Sequence, residues 1–546
     1  MLKLGEHFSL QAWSNKPGVD HFMNLSERKF IYVVVFVSGM TALAVEMSAS
    51  RLIGNVYGNS NLVWASIIGL ILIFLAAGYF IGGNLADRYP AVTLLYQLLG
   101  WAGFTTGLIP LVSQPILRLA SQAFDELNLG ILFGSFSVVL ILFSIPVTLL
   151  GMISPFAIRL LVKDQKSSGK TAGRLYALST LGSFLGAFIP VLISIPIIGT
   201  YRTFYAFGLL VCLTCLIGGW KYGVKRRILF GGMSVFLLGC LFFLGGKPLK
   251  SSYGQTYESE SAYNYIQVLE NNGYRYLRLN EGQGIHSIWH KEELFFGGPW
   301  EQFLAGPFFN LSADGEIYEP HNIQRIAIIG LAAGTTARQA TTVFGAIPID
   351  GYEIDPEIIE IGKQYFGMDL PNLNAIAQDG RWGISHSPYR YQLLAVDAYR
   401  PPYIPWHLTT VEFFQILSDH LSEDGVVAIN VGRAPNDRSL INGFVGTLSA
   451  VFPSIYVMDL PDTFNSIIYA TKTHTRVENF YQNLLAFYQR EDIHPLLVEV
   501  MQRYILYQQP VPQSNIVFTD DRAPIEWMTN QLMLRFLFSG EVEKLQ

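Results

Sequence analysis

RIAIIGLAAGTTARQATTVFGAIPIDGYEIDPE, residues 325–357, decides the architecture of half of this chain. Arg325–Ile329 is a short apolar run that stops at Gly330. Gly330-Leu331-Ala332-Ala333-Gly334-Thr335-Thr336 then opens a helix over Thr335–Phe344. A second strand, Ile347–Ile354, ends in Glu353-Ile354-Asp355-Pro356, and a helix follows to Tyr365. Strand, helix and strand in this order predict a parallel crossover unit. The pattern continues outward. A third strand, Asn374–Ala377, ends in Gln378-Asp379-Gly380, and a fourth, Gln392–Val396, ends in Asp397. A helix over Thr410–Leu421 and a strand over Val426–Val431 complete five units. The expectation is a doubly wound parallel sheet over 321–470, whose ligands bind beyond the carboxyl ends of the strands.

Upstream, residues 262–290 alternate polar and apolar positions around Asn271-Asn272-Gly273, which predicts a hairpin and a small β subdomain over 251–320. Residues 471–546 read as a C-terminal helical extension. Its Phe518-Thr519-Asp520-Asp521-Arg522-Ala523-Pro524-Ile525-Glu526 cluster suits a helix-start loop or a flap over the pocket.

Residues 1–250 are a different material. They hold 19 Lys and Arg against 8 Asp and Glu, whereas 251–546 hold 18 against 34, which gives +11 and −16 for the stated net of −5. Seven nearly uncharged stretches, 31–50, 61–83, 91–113, 129–152, 175–198, 203–220 and 228–246, are long enough to cross a bilayer. Residues 1–29 are polar and carry seven charges, so a cleaved signal peptide is not expected. Twelve Lys and Arg fall on the N-terminal side of these spans against five on the other, which places the N-terminus in the cytoplasm. If 228–246 did not cross, the tally would become fourteen to three, so sequence leaves the side of the second half open.

Gly78/Gly82 and Gly182/Gly186 have the spacing of close helix packing. Glu46, with Arg51 five residues on, is either a structural pair or a functional intramembrane charge. Gly82-Gly83-Asn84-Leu85-Ala86-Asp87-Arg88 resembles a loop of major-facilitator transporters. The acidic second half excludes nucleic acid as a natural partner. Cys212, Cys215 and Cys240 lie in apolar stretches and read as core residues. His286 and His290 lack further ligands, so no metal site is expected.

Glu353, Asp379 and Asp397 thus end successive strands around a glycine turn. Gly330 and Gly334 allow the backbone to approach a ligand. Glu353 is placed to accept the hydroxyls of a ribose, Asp379 an exocyclic amine, and Asp397 lies where the reacting end would project. No third glycine or Gly-Lys-Ser/Thr supplies a phosphate cradle, so S-adenosylmethionine or its decarboxylated form fits better than NAD or ATP.

Ile326–Phe366 and Asp379–Val431 resemble the spermidine synthase family. The likeness is clearest at Gly351-Tyr352-Glu353-Ile354-Asp355-Pro356-Glu357, Asp379-Gly380-Arg381, Val396-Asp397-Ala398-Tyr399 and Thr409-Thr410-Val411-Glu412-Phe413-Phe414. Tyr263-Asn264 and Asn280-Glu281-Gly282 match that family's N-terminal region, and the leading helices resemble those of membrane-fused members. The resemblance implies a multi-pass membrane bundle of about seven helices, then a Rossmann-like, methyltransferase-type domain with a small N-terminal β subdomain. It implies aminopropyl transfer from decarboxylated S-adenosylmethionine to an amine or polyamine, releasing methylthioadenosine, with no metal. Gly330, Gly334, Glu353, Asp355, Asp379 and Gly380 would hold the nucleoside, and Asp397 would be the base. Two departures matter. The glycine-rich turn is reduced to Gly330-Leu-Ala-Ala-Gly334, and the second acid of the catalytic loop is Arg400. The acceptor end is therefore rewritten, with Glu301, Tyr399, Arg400, Tyr403 and His407 as its candidates, beside Trp406.

Two other readings stand beside this one. Arg400 could pair with the carboxylate of intact S-adenosylmethionine, which would make the protein a methyltransferase or lyase. Alternatively the bundle transports, as a homodimer, and the second half senses a nucleoside or polyamine. Each reading places the chain in the cell membrane. The side leans inward, because S-adenosyl cofactors are made in the cytosol.

Overall fold

The computed structural model describes residues 25–57, 61–127, 131–162, 168–221, 226–246, 249, 252–280, 284–398, 404–434, 437–488 and 490–538. Every apolar stretch of the first half is helical: α1 (Leu25–Tyr57), α2 (Asn61–Arg88), α3 (Val92–Leu127), α4 (Ile131–Leu161), α5 (Ser168–Ile189), α6 (Ile195–Lys221) and α7 (Arg227–Phe243). Among the described residues five runs are long and apolar enough to cross a membrane, and α7 is shorter. The fifth run, Ser168–Trp220, contains both α5 and α6, joined by a π-helical turn at Pro190–Ser194 and broken at Gly199 (φ 82°, ψ 166°).

Small residues set the helix contacts. A side chain at Gly78 would meet the backbone of Thr148 and Gly151, and one at Gly82 the backbone of Met152, so α2 and α4 touch there. Gly182 and Gly186 lie against Phe36 and Met40 of α1. The outward faces stay apolar, with Leu72 and Phe80 58% and 75% exposed.

The second half begins with a four-stranded antiparallel sheet in the order β1-β2-β3-β4: Gln255–Glu260, Tyr265–Asn271, Tyr274–Leu279 and Ile285–Trp289. The predicted hairpin is β2–β3, turning on Asn272 and Gly273, both at positive φ. A short helix, α8 (Pro299–Gln302), leads to the α/β core.

The core contains β5 (Ile326–Ile329), α9 (Thr335–Phe344), β6 (Ile349–Glu353), α10 (Pro356–Tyr365), β7 (Leu373–Ala377), α11 (Gly380–Ser385), β8 (Tyr391–Val396), α12 (Val411–Asp419) and β9 (Leu421–Gly432). It continues through α13 (Ser439–Ser449), β10 (Ser454–Asp459), β11 (Asn465–Thr471), α14 (Val477–Phe487), α15 (Pro495–Tyr507), β12 (Gln508–Gln509) and α16 (Ile525–Phe538).

The sheet order is β12-β10-β11-β9-β8-β5-β6-β7. Strands β5 to β9 pair in parallel, as predicted, but β10, β11 and β12 are antiparallel, so the sheet is mixed. The cause is local: β10 and β11 are joined by only five residues, too few for the crossover that parallel pairing needs. Nor is 471–546 an appendage. Phe480, Leu497 and Tyr504 are buried against one face of the sheet, and Phe518, Ile525 and Met528 against the other.

The halves meet at a plug. At the Gly199 break, the Glu260 carboxylate at the end of β1 accepts Thr200 N–H (2.6 Å) and Thr200 Oγ1 (2.5 Å). It caps the restarted helix where backbone donors are free. Nearby, Arg51 of α1 donates to the Ala262 carbonyl. Arg51, read from sequence as a partner for Glu46, thus reaches across to the second half.

Candidate active site

The sheet order reverses between β5 and β8, where a doubly wound fold leaves a crevice. A cavity of about 200 Å³ lies there. Strand ends supply Gly330, Glu353, Asp379 and Asp397. The β subdomain adds Tyr263, Asn264 and His286, and the segment after β8 adds Pro405, His407 and Leu408.

The turn after β5 explains the glycines. Gly330 has φ 85°, and a Cβ there would lie 2.5 Å from the Asp397 carbonyl oxygen. Ala332 also has positive φ (47°), a conformation that costs a residue with a Cβ about 1 kcal/mol or more. The strain aims its N–H at Glu353 Oε2 (3.0 Å). Gly334 turns the chain into α9 against Met368 and does not line the cavity.

Glu353 is 8% exposed. Its Oε1 accepts Asp355 N–H (3.1 Å). Burial outweighs these bonds and pushes its carboxyl up to about 7. Asp379 goes the other way. His407 Nε2 bonds its Oδ2 (2.9 Å) and Trp382 N–H its Oδ1 (3.0 Å), and the His407 bond leads in holding the carboxyl below the usual range. Asp397 is pushed up to about 6 by burial, against a single bond from Asn430 Nδ2 to its Oδ1 (2.8 Å). It can therefore take and release a proton near neutrality.

Several sequence-predicted residues have other places. Asp355, expected to hold the nucleoside, does not line the cavity. Its Oδ1 caps α10 through Glu357 N–H, and its Oδ2 accepts Ser261 Oγ (2.5 Å) and Asn264 Nδ2 (2.9 Å). It fastens the β subdomain to the core. Glu301, expected at the acceptor end, is fully buried elsewhere. Its carboxylate accepts Gly298 N–H and Gln339 Nε2 and lies 3.7 Å from Arg503, because it closes the start of α8. His407 lines the cavity, but it is bound to Asp379. Gly380 lines the cavity beside it. Tyr399, Arg400 and Tyr403 lie outside the described residues, and Trp406 does not line the cavity.

Sequence reading missed two residues. Asn430 is a polar residue inside the apolar run of β9, which was a usable signal. From sequence alone His286 reads only as a candidate metal ligand. Its imidazole, pushed down to about 4 by burial, faces the cavity as a neutral group. His290 instead accepts Glu293 N–H. Among the described residues no group of three or more His, Cys, Asp or Glu could hold a metal ion.

No family model matches the chain. It is 30% identical over 286 residues to a "Probable polyamine aminopropyl transferase" of Bifidobacterium longum, across 50% of this chain and 61% of that protein. It is 27% identical to a polyamine aminopropyltransferase of Vibrio vulnificus, across 41% of this chain and 74% of that one. The likeness to these aminopropyltransferases falls on about half of the chain. The chain spans about three-fifths of the Bifidobacterium relative's length. A crystal structure of spermidine synthase from Thermotoga maritima aligns at 20% identity, over 47% of this chain and 84% of that one, with a TM-score of 0.36.

Proposed function

We propose that this protein is a membrane-bound transferase that moves an aminopropyl group from decarboxylated S-adenosylmethionine to an amine, releasing methylthioadenosine. One observation carries the reading: three carboxylates at the ends of β6, β7 and β8 face one cavity, two of them raised by burial and one, Asp379, held low by His407. Glu353 keeps free lone pairs on both oxygens for the two ribose hydroxyls. Asp379 stays ionised and accepts the exocyclic amine of the base. Asp397 takes a proton from the incoming ammonium. The amine lone pair then attacks the carbon beside the sulfonium, the C–N bond forms, and the C–S electron pair leaves with sulfur. Holding both reactants at short range supplies much of the acceleration. The negative cavity also favours a cationic donor over a neutral nucleoside.

The test is mass spectrometry of the nucleoside released by the full-length protein from each sulfonium donor, with and without an amine panel. Methylthioadenosine formed only with the decarboxylated donor and an amine is expected. S-Adenosylhomocysteine, or methylthioadenosine formed without an amine, would overturn the proposal.

The helical half, we propose, lies in the membrane, with its apolar outward faces against lipid. The orientation then departs from the inward lean of the sequence. Phe230 and Leu237 of α7 pack over Gly100 and Gly107 of α3, so α7 runs parallel to α3 along the bundle. The second half docks at the end that bears Arg51 and Thr200, the Lys/Arg-poor end. By the charge rule that end faces away from the cytosol, and the donor has to be supplied there. A cysteine introduced for exposed Trp382 should react with an impermeant maleimide on intact cells. Labelling only after permeabilisation would reverse the orientation.

A further inference from the structure

We propose that the C-terminal segment around Asp520 is a working part of the nucleoside site: through Arg381 it positions His407, and His407 reads the base together with Asp379. This rests on the nucleoside-donor reading above.

The observations form a continuous chain. Arg381 forks onto Asp520, Nη1 to Oδ1 (2.7 Å) and Nη2 to Oδ2 (2.6 Å), and its Nη1 also donates to the His407 carbonyl (3.0 Å). Asp520 is held from two further directions: Thr410 Oγ1 donates to its Oδ1 (2.7 Å), and its own N–H donates to Glu412 Oε2 (3.0 Å). The segment is pinned by its backbone as well, with Val411 N–H on the Phe518 carbonyl (2.8 Å) and Phe518 N–H on Thr447 Oγ1 (2.9 Å). The fork fixes a planar guanidinium in position and angle. The guanidinium in turn fixes the backbone of a loop residue whose side chain lines the cavity.

The chemistry at the other end follows from Asp379. Each of its oxygens already accepts one bond, Oδ1 from Trp382 N–H at the start of α11 and Oδ2 from His407, so a ligand that binds Oδ2 shares it with the imidazole. An ionised carboxylate only accepts, so the His407 Nε2 that meets Oδ2 carries the proton. Oδ2 retains a second lone pair. An exocyclic amine that binds there comes up against the imidazole, and the position of His407 sets the width of the slot. An amine can share Oδ2, whereas a 6-oxo base presents an acceptor to an acceptor and is rejected. A displaced His407 would loosen the slot and weaken that discrimination.

The test uses the full-length protein, with methylthioadenosine and its 6-oxo counterpart methylthioinosine as calorimetric probes. Asp520→Asn and His407→Ala are expected to weaken methylthioadenosine about tenfold and to cut the preference over methylthioinosine by a similar factor. His407→Gln, whose amide can still donate to Asp379, should recover most of both. A merely structural contribution would lower melting temperature and leave the preference intact, and that result would overturn the proposal. Wild-type affinity and preference in Asp520→Asn would overturn it too. Glu353→Gln separates the two readings. If the wild type binds methylthioadenosine and Glu353→Gln binds it about 10- to 100-fold more weakly, the donor reading holds, and the Asp520 and His407 variants judge the latch alone. If the wild type binds neither probe, the donor reading fails first.

Discussion

Glu353 and Asp397 leave the sheet on either side of β5, and burial raises both, yet the protein holds them in different ways. Two backbone N–H groups, of Ala332 and Asp355, grip Glu353, one on each oxygen. Asp397 has one side-chain amide on one oxygen. Backbone donors cannot rotate away, so Glu353 is a fixed acceptor suited to binding. A carboxylate with one oxygen uncommitted can receive a proton, so Asp397 suits chemistry. Burial alone does not separate a binding acid from a reacting one; the number and kind of donors does.

Four experiments press on this contrast. Asp397→Asn should lower kcat by about 10²–10⁴-fold, as removal of a general base does, with methylthioadenosine affinity unchanged. Unchanged turnover would erase the distinction. Glu353→Gln should instead act on binding, weakening the nucleoside about 10- to 100-fold, since one backbone N–H then faces an amide N–H and a charged acceptor is lost. Next comes pH. Asp397 accepts a proton only when ionised, so kcat/KM should fall as pH drops through about 6, approaching tenfold per unit below it. Glu353 accepts both ribose hydroxyls best when ionised, so nucleoside affinity should begin to weaken earlier, below about 7. Stability moves oppositely: a carboxyl raised in the folded state favours folding below its unfolded value and loses that advantage as pH rises through its folded one. The smallest effect is expected from Asn430→Leu. It removes the bond that lowers Asp397, so the lower pH midpoint should move upward by up to about one unit. A downward move would show that Asn430 does not support the ionised form.

The strand-end acids were legible because they depend on nearby sequence: a strand, its end and the turn that follows. Asn430 and His286 were harder, because pairing brings them in, from β9 and from a separate sheet. Asp355 misled for the same reason. It sits in the family motif, but its partners Ser261 and Asn264 lie more than ninety residues upstream. Glu301 could be read as an acceptor ligand only while its burial beside Arg503 was hidden. The antiparallel β10–β11 pair is legible in principle from its five-residue connection, which is too short for a parallel crossover.

The plug at Gly199 bears on how the protein can be taken apart. A cut at the change of composition, near residue 250, falls ten residues before Glu260. The fragment would keep a buried-type carboxylate and leave both of its Thr200 donors behind. The next residue is Ser261, which bonds Asp355, and Asn264 a little beyond it bonds Asp355 too and lines the cavity. Trimming away the helices would therefore disturb the cavity from its outer edge, and the seam between the two halves lies in their composition, not in their architecture.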